Sequence, residues 1–204
     1  PLQRSGDRAA TGNDLHFSFG RLKMYKAFQQ FQFLWYEIKL MNPSAIYWLN
    51  CWFRPTFWVI ASYRINRFVY LALGNLWTGC RIILAPILFL LQPWAGNCEI
   101  SYRAEIGKGL KILHPRLGIV ISQYAIIGKH LTLVGGNCIG VQITGTFKSG
   151  DIRIGDNLTM GANAVVIGPI TVGNNVQLGA GGVLVKNTPD NQVMVGVPAR
   201  SVIG

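Results

Sequence analysis

Three histidines occur in 204 residues, and one of them, His114, stands where an imidazole could work as a base. It lies in "GLKILHPRLGIVI" (109–121), beside Pro115, which restricts the local backbone. A histidine titrates close to neutrality, so it can take up and return a proton at working pH. His16 falls in a polar N-terminal stretch. His130, in "IGKHLTL", lies mid-turn between inward residues and is expected to face solvent. The four cysteines (51, 80, 98, 138) form no CxxC pair and no Cys/His metal spacing, so no metal site is expected. They read as free thiols of a reducing compartment.

The elements that must position His114 show themselves as a six-residue beat. Ile100, Ile106 and Ile112 fall on one phase. Ile121, Ile127, Leu133 and Ile139 fall on a second, and Ile154, Met160, Val166, Val172, Leu178 and Leu184 on a third. Short fixed-period self-similarity marks a solenoid. Six is neither a helical period nor plain strand alternation. It fits a parallel β-helix of three flat strands per turn, one aliphatic side chain per strand pointing inward, with Gly or Asn at the corners. Between phases the register jumps. Ile112 to Ile121 is six plus three; Ile139 to Ile154 reads as twelve plus three. Insertions in a solenoid extrude as loops, here "LHPRLG" (113–118) and "TGTFKSGD" (144–151). The slip at 113–118 carries His114 out of the packed wall.

The rest of the chain differs in kind. Residues 1–98 hold all six Trp and carry +7; residues 99–204 hold none and carry +4. The expected division is a flexible tail over 1–20, a helical, aromatic-rich region over 21–98, and a β-helix domain over 99–204. "IILAPILFLLQPW" (82–94) is too short to span a bilayer. "IYWLNCWFRPTFWVIASYRINRFVYLALG" mixes Trp and Tyr with Arg, which suits a helical element lying at a membrane surface, its arginines toward anionic lipid. Packing of the same aromatics against other subunits is the alternative. The net charge of +11 comes with no recognisable nucleic-acid module, so no nucleic-acid partner is expected.

Over about 160 positions the chain resembles the serine acetyltransferase-like branch of the hexapeptide-repeat acyltransferases, which implies that the parallel β-helix is left-handed. The residues carrying the resemblance run from "NPSAIYWLNCWFRPTFWVIASYRINRFVY", with Phe53-Arg54-Pro55 and Tyr63-Arg64 at matching places, to "GVPARSVIG". The most specific run is "EISYRAEIGKGLKILHPRLGIVI". The family has an Asp followed fifteen residues later by its catalytic histidine; here stand Glu99 and His114. The resemblance therefore implies His114 as general base and Glu99 as the carboxylate that fixes its tautomer. It implies acetyl-CoA as co-substrate, lying in a groove between adjacent solenoids of a homotrimer. Gly161-Ala162 and Gly179-Ala180 would let pantetheine approach, or serve only as corners. Lys186 and Arg200 could meet the CoA phosphates, and Arg116 and Lys148 the thioester oxyanion.

The departures bear on the acceptor. In serine acetyltransferases the catalytic histidine follows an acidic residue; here that position is Leu113. The family's "GGTGKSGGDRHPKI" loop reads "TGTFKSGDIRI" here, without a histidine. An ammonium group needs a carboxylate that leucine cannot supply. The exopolysaccharide and capsule O-acetyltransferases of the same branch, with "HP.GIVI" around the histidine, are the better resemblance. They imply a sugar hydroxyl acceptor on a polysaccharide or lipid-linked precursor at the cytoplasmic face of the membrane. Serine O-acetylation, another acceptor such as an amino sugar, and a non-catalytic trimeric scaffold are the competing readings.

Overall fold

Six residues advance the chain by one wall of a triangular coil, and three such steps return it one rung further on. The computed structural model describes residues 12–41, 51–91 and 97–202. The first wall stacks Cys98–Ile100, Ile119–Ile121, Asn137–Val141, Val165–Gly168 and Val183–Leu184. The second stacks Glu105–Ile106, Ala125–Ile127, Ile152–Ile154 and Ile170–Val172. The third stacks Lys111–Ile112, Thr132–Leu133, Thr159–Met160, Gln177–Leu178 and Val193–Val195, all parallel, and ends on the antiparallel Arg200–Ser201. This is the parallel β-helix the period implies, with the left hand expected from the family resemblance.

Partners on successive rungs lie eighteen residues apart where nothing intervenes, as in Ile119↔Asn137 and Thr159↔Gln177. Pairs spanning 113–118 lie twenty-one apart, as in Glu99↔Val120. Pairs spanning the second loop lie twenty-seven apart, as in Cys138↔Val165. The second insertion is therefore nine residues, not three. Ile139 to Ile154 is one wall step plus nine.

Twelve of the thirteen phase positions are buried, and Ile100 on the first rung packs half-buried against them. One inward residue per strand was expected, but there are two. Two residues before ten of the phase positions, Ala104, Leu110, Ile119, Ala125, Leu131, Ile152, Leu158, Ala164, Ile170 and Val176 are also buried. Alternation along each short strand turns positions i−2 and i to the same face. At one column of corners His130, Asn157, Asn175 and Asn191 adopt φ between 55° and 62°. Asn157 Nδ2 donates to Asn175 Oδ1 (2.8 Å), and Asn175 Nδ2 to Asn191 Oδ1 (2.9 Å). Asparagine tolerates this left-handed conformation. His130 heads the column, half-buried, its ring edge-on to Tyr36 at 6.1 Å. It is thus a corner residue rather than the solvent-facing mid-turn residue expected.

Three helices precede the coil: α1 (Gly12–Met41), α2 (Pro55–Leu73) and α3 (Asn75–Leu91). The first begins inside the stretch expected as a tail. Proline at the first position suits the start of α2, and Gly74, at φ 61°, ends it. Phe57, Ile60, Arg64 and Arg67 line one buried face of α2 at helical spacing. Val59, Ile60 and Tyr63 join the β-helix core.

The first rung needs this cover, because a bare edge leaves backbone groups unpaired. Arg64 donates to the carbonyls of Ile106 (2.8 Å) and Gly107 (2.7 Å). Arg67 donates to those of Tyr102 (3.1 Å) and Arg103 (2.8 Å). Tyr63 Oη donates to Ala104 O and accepts from Ile106 N. Glu37 Oε1 accepts from the N–H groups of Gly109 (3.1 Å) and Leu110 (2.9 Å). Arg64 and Arg67, expected to face lipid, are buried instead, drawn inward by carbonyls that only long cationic donors reach. No described helix is long and apolar enough to cross a membrane.

Candidate active site

His114 follows the third-wall strand Lys111–Ile112, at the corner where the coil turns to the first wall. Its backbone N–H donates to Val134 O at 2.8 Å, so the loop root is still laddered to the next rung. Pro115 is buried and opens a single 3₁₀ turn, Pro115–Leu117. Leu117 N donates to His114 O (3.2 Å) and Gly118 N to Pro115 O (3.1 Å). Gly118, at φ 81°, returns the chain to the wall, and its carbonyl accepts from Gly136 N at 2.7 Å. Cys98 Sγ donates to Pro115 O at 3.2 Å. The backbone of His114 is thus held on three sides, while its side chain is exposed.

The Gly-Ala pairs stand on the same corner column as His114. Asn163 N donates to Gly135 O (2.9 Å), and Gly181 N to Ala162 O (2.8 Å). Below His114 the column therefore runs Gly135-Gly136, then Gly161-Ala162, then Gly179-Ala180. A side chain at Gly161 would put its Cβ 2.5 Å from Ala180 N, so rung stacking alone requires that glycine. Ala162 is half-buried and Ala180 exposed, which leaves a lane edged by small side chains leading down from the imidazole.

The remaining expected residues are spread wider. Glu99 points outward from the first wall and is exposed; within one chain it makes no ion pair with His114. Arg116 is exposed in the His114 turn itself. Lys148 lies in the second loop, at the corner between the first and second walls, where its backbone N–H donates to Asp151 Oδ2 at 2.8 Å. Lys186 follows the last first-wall strand toward that same corner. Arg200 lies in the reversed strand on the third wall. A single chain groups His114 and Arg116 with the Gly-Ala lane and holds Lys148 and Lys186 one corner away.

Four residues of this corner were not expected from the sequence. Leu117 is exposed in the His114 turn and Val120 on the strand that follows it, and with the exposed Leu113 they add apolar surface to the corner. Gly135 lies under the loop: a Cβ there would fall 2.6 Å from His114 O and 3.2 Å from His114 Cβ. Asn137 occupies an inward position that is aliphatic on most rungs. Its Oδ1 accepts from Gly135 N (2.9 Å), and its Nδ2 donates to Gly161 O (2.7 Å) and Ala164 O (3.3 Å). The only sequence signal for these was the paired glycine of "LVGGN", a doubling repeated only at Gly181-Gly182. All four cysteines are free thiols. Burial pushes the Cys98 thiol up to about 11 and raises that of Cys138 as well.

No family model matches the chain. Among curated proteins it is 33% identical to the chloroplastic serine acetyltransferase 1 of Arabidopsis thaliana over 171 residues, 82% of this chain and 51% of that protein. It is 34% identical to a putative colanic acid biosynthesis acetyltransferase of Escherichia coli over 157 residues, 74% of this chain and 93% of that one. The chain thus spans about half the length of the plant proteins and nearly all of the bacterial one. Among solved structures, the Neisseria gonorrhoeae serine acetyltransferase superposes with a TM-score of 0.67 at 28% identity, over 91% of this chain and 69% of that one. A serine acetyltransferase in complex with CoA superposes with a TM-score of 0.56 at 30% identity, over 73% and 57%.

Proposed function

The chain belongs to the serine acetyltransferase-like family of hexapeptide-repeat acyltransferases, and on that premise we propose that it moves acetyl from acetyl-CoA to a sugar hydroxyl of a polysaccharide or lipid-linked saccharide precursor. The observation that carries this reading is the exposed His114, ordered by its backbone, at the head of a small-residue lane and flanked by apolar rather than acidic side chains. An alcohol is a weak nucleophile at neutral pH. His114 takes the hydroxyl proton as the oxygen bonds to the thioester carbonyl carbon. The tetrahedral intermediate collapses by breaking the C–S bond, and the imidazolium returns its proton to the CoA sulfur. Glu99 supports the imidazolium, and Arg116 or a backbone N–H the oxyanion.

The pantetheine chain occupies the Gly161-Ala162 and Gly179-Ala180 lane. A neighbouring solenoid of a homotrimer closes the groove and brings Lys148 and Lys186 to it, while Arg200 meets the CoA phosphates. The similarity to the bacterial colanic acid relative over 93% of its length supports the sugar acceptor, as does Leu113, which cannot pair with an amino acid's ammonium. Serine is the second reading, favoured by the identity to the plant enzymes. The enzyme works at the cytoplasmic face of the membrane, where a lipid-linked acceptor is presented.

CoA release measured with L-serine and, separately, with undecaprenyl-linked saccharides tests the acceptor. The expected result is turnover with the saccharide and little with serine. His114→Ala should lower the saccharide rate by about 10²–10⁴-fold and leave CoA binding intact. Glu99→Gln should cost less, because the imidazole remains. Wild-type turnover in the His114 variant, or efficient serine acetylation, would overturn the assignment.

A further inference from the structure

The outer side of α1 carries an apolar stripe closed at each end by a cation. Arg21, Met24, Phe28, Phe31, Trp35 and Lys39 follow one another at three- and four-residue steps, so they share one line along the helix. All six are exposed, Phe28, Phe31 and Trp35 at 56%, 46% and 52%. Lys39 Nζ sits 5.4 Å from the Trp35 ring centre, so cation and ring stand on the same side. Phe28 and Phe31 also meet the Phe68 ring of α2, at 5.9 and 4.6 Å. Ile65, one turn before Phe68 and exposed, carries the apolar surface across to α2.

This surface looks away from the coil. Phe28 and Glu37 lie about two and a half turns apart, on opposite sides of α1, and Glu37 is bonded to the first rung. On α2, Ile65 stands just over half a turn from both Tyr63 and Arg67, which bond the same rung. Aromatic side chains so bare in one patch mark a surface made for something other than water.

The exposed charge of these helices has one sign. Residues 21–84 contain a single carboxylate, Glu37, which is buried and paired with Arg64. With the buried Arg64 and Arg67 and the half-buried Arg81 left out, the exposed charged side chains of that span are Arg21, Lys23, Lys26, Lys39 and Arg54. A second copy docked on the stripe would set cation against cation whichever way the helices ran, because Arg21 and Lys39 close its two ends. An anionic phospholipid surface offers the opposite charge and an apolar layer just beneath it. Tryptophan suits the headgroup level, and lysine keeps its stem on apolar surface while its ammonium reaches a phosphate.

We propose that the α1 stripe, extended by Ile65, lies flat in the headgroup–acyl boundary of an anionic bilayer, with Arg21 and Lys39 meeting lipid phosphates at its two ends. The inference rests on the membrane location proposed above and names the surface that makes it; the acetyl acceptor does not enter. It moves the contact from the run 46–74, whose Arg64 and Arg67 are buried, to α1. The coil then projects from the opposite side of the helices into water.

Co-sedimentation of the full chain with vesicles, and quenching of its tryptophans by lipids brominated on the acyl chains, test it. The wild type is expected to bind phosphatidylcholine mixed with phosphatidylglycerol, and phosphatidylcholine alone much more weakly. Arg21→Gln/Lys39→Gln should bind the mixed vesicles roughly thirtyfold more weakly, each basic residue at an anionic surface counting for about fivefold. Phe28→Ser/Phe31→Ser should weaken binding to both vesicle types. Trp35→Phe should bind as the wild type does and lose part of the bromine quenching, a change that a merely structural ring would not give. The Gln pair and Trp35→Phe alter only exposed side chains, so their unfolding midpoints should match the wild type. CoA release from a soluble saccharide should be unchanged in both, whereas His114→Ala lowers it and leaves vesicle binding intact. A wild type that binds neither vesicle type would overturn the membrane location and this face with it. Wild-type binding that the Gln pair leaves unchanged, or quenching that Trp35→Phe leaves unchanged, would overturn the face and leave the location standing. A solution mass that drops in Phe28→Ser/Phe31→Ser, with no vesicle binding by the wild type, would assign the stripe to a second copy and overturn the lipid.

Discussion

Arg64 of α2 meets Glu37 of α1 through two parallel contacts, Nε to Oε2 at 3.1 Å and Nη2 to Oε1 at 2.5 Å, with exposures of 1% and 0%. Neither group is satisfied by the other alone. Glu37 also takes two backbone N–H groups of the first rung, and Arg64 gives to two carbonyls there and to Gln30 Oε1 at 3.1 Å. The pair fastens two helices and the coil in one network. Glu37→Ala strands a buried guanidinium and two N–H groups, and should cost about 3–5 kcal/mol. Glu37→Leu combined with Arg64→Met should cost less than the sum of the single changes, because no lone charge remains. Urea denaturation of the single and double variants measures the coupling.

Gly135→Ala should lower turnover while acetyl-CoA affinity holds. Gly135 has φ 143°, and a Cβ there would meet the carbonyl oxygen and Cβ of His114. The loop must move to admit it, and the imidazole moves with the loop. A misplacement of about 1 Å can cost on the order of 10²-fold in rate. Steady-state kinetics should show the loss in kcat rather than in KM for acetyl-CoA.

Leu113→Asp should not by itself create efficient serine acetylation. It supplies a carboxylate beside His114, but the second loop, through "TGTFKSGDIRI", still lacks the histidine expected there from the resemblance to serine acetyltransferases. The new charge also stands next to the imidazole proposed as the base. CoA release with serine as acceptor checks this, and a large gain would mean that the second loop matters little to acceptor choice.

Cys98 predicts a pH dependence. Burial raises its thiol from 9.0 to about 11, with a smaller opposing effect from the backbone of Ile119. The folded state therefore favours the neutral thiol. Its contribution to stability is complete below pH 9 and is lost as pH rises from about 9 toward 11, where the unfolded chain ionises first. Cys98→Ala should flatten part of that decline; Cys138 shifts in the same direction and retains the rest. Denaturation midpoints across this range measure it, and alkylation of Cys98 at pH 8 should be slow in the folded protein.

The coil was legible in sequence because each rung repeats one demand, an aliphatic residue at every sixth position. The second inward residue was harder to see, since position i−2 accepts anything from Ala104 to Leu110 to Asn137 according to the space at the corner. The size of the second loop was hidden for an arithmetic reason. Insertions of three and of nine residues shift a six-residue phase identically, and only the pairing of Cys138 with Val165 distinguishes them. The first loop and His114 were legible because a slip of three in a regular beat has few causes. The roles of Arg64 and Arg67 were not. Their partners are carbonyls 35 to 43 residues away, and an arginine among aromatics reads the same whether it faces lipid or a bare rung. Gly135 was hidden for a related reason, as its constraint comes from a loop twenty-one residues upstream.

A parallel coil has a property that a closed barrel lacks: either end could serve as a template on which another chain adds as the next rung. That is the growth habit of a fibril. Here the first rung is spent on Arg64, Arg67, Tyr63 and Glu37, which take up the backbone groups that an incoming strand would need. Lengthwise propagation from that pole is thereby blocked.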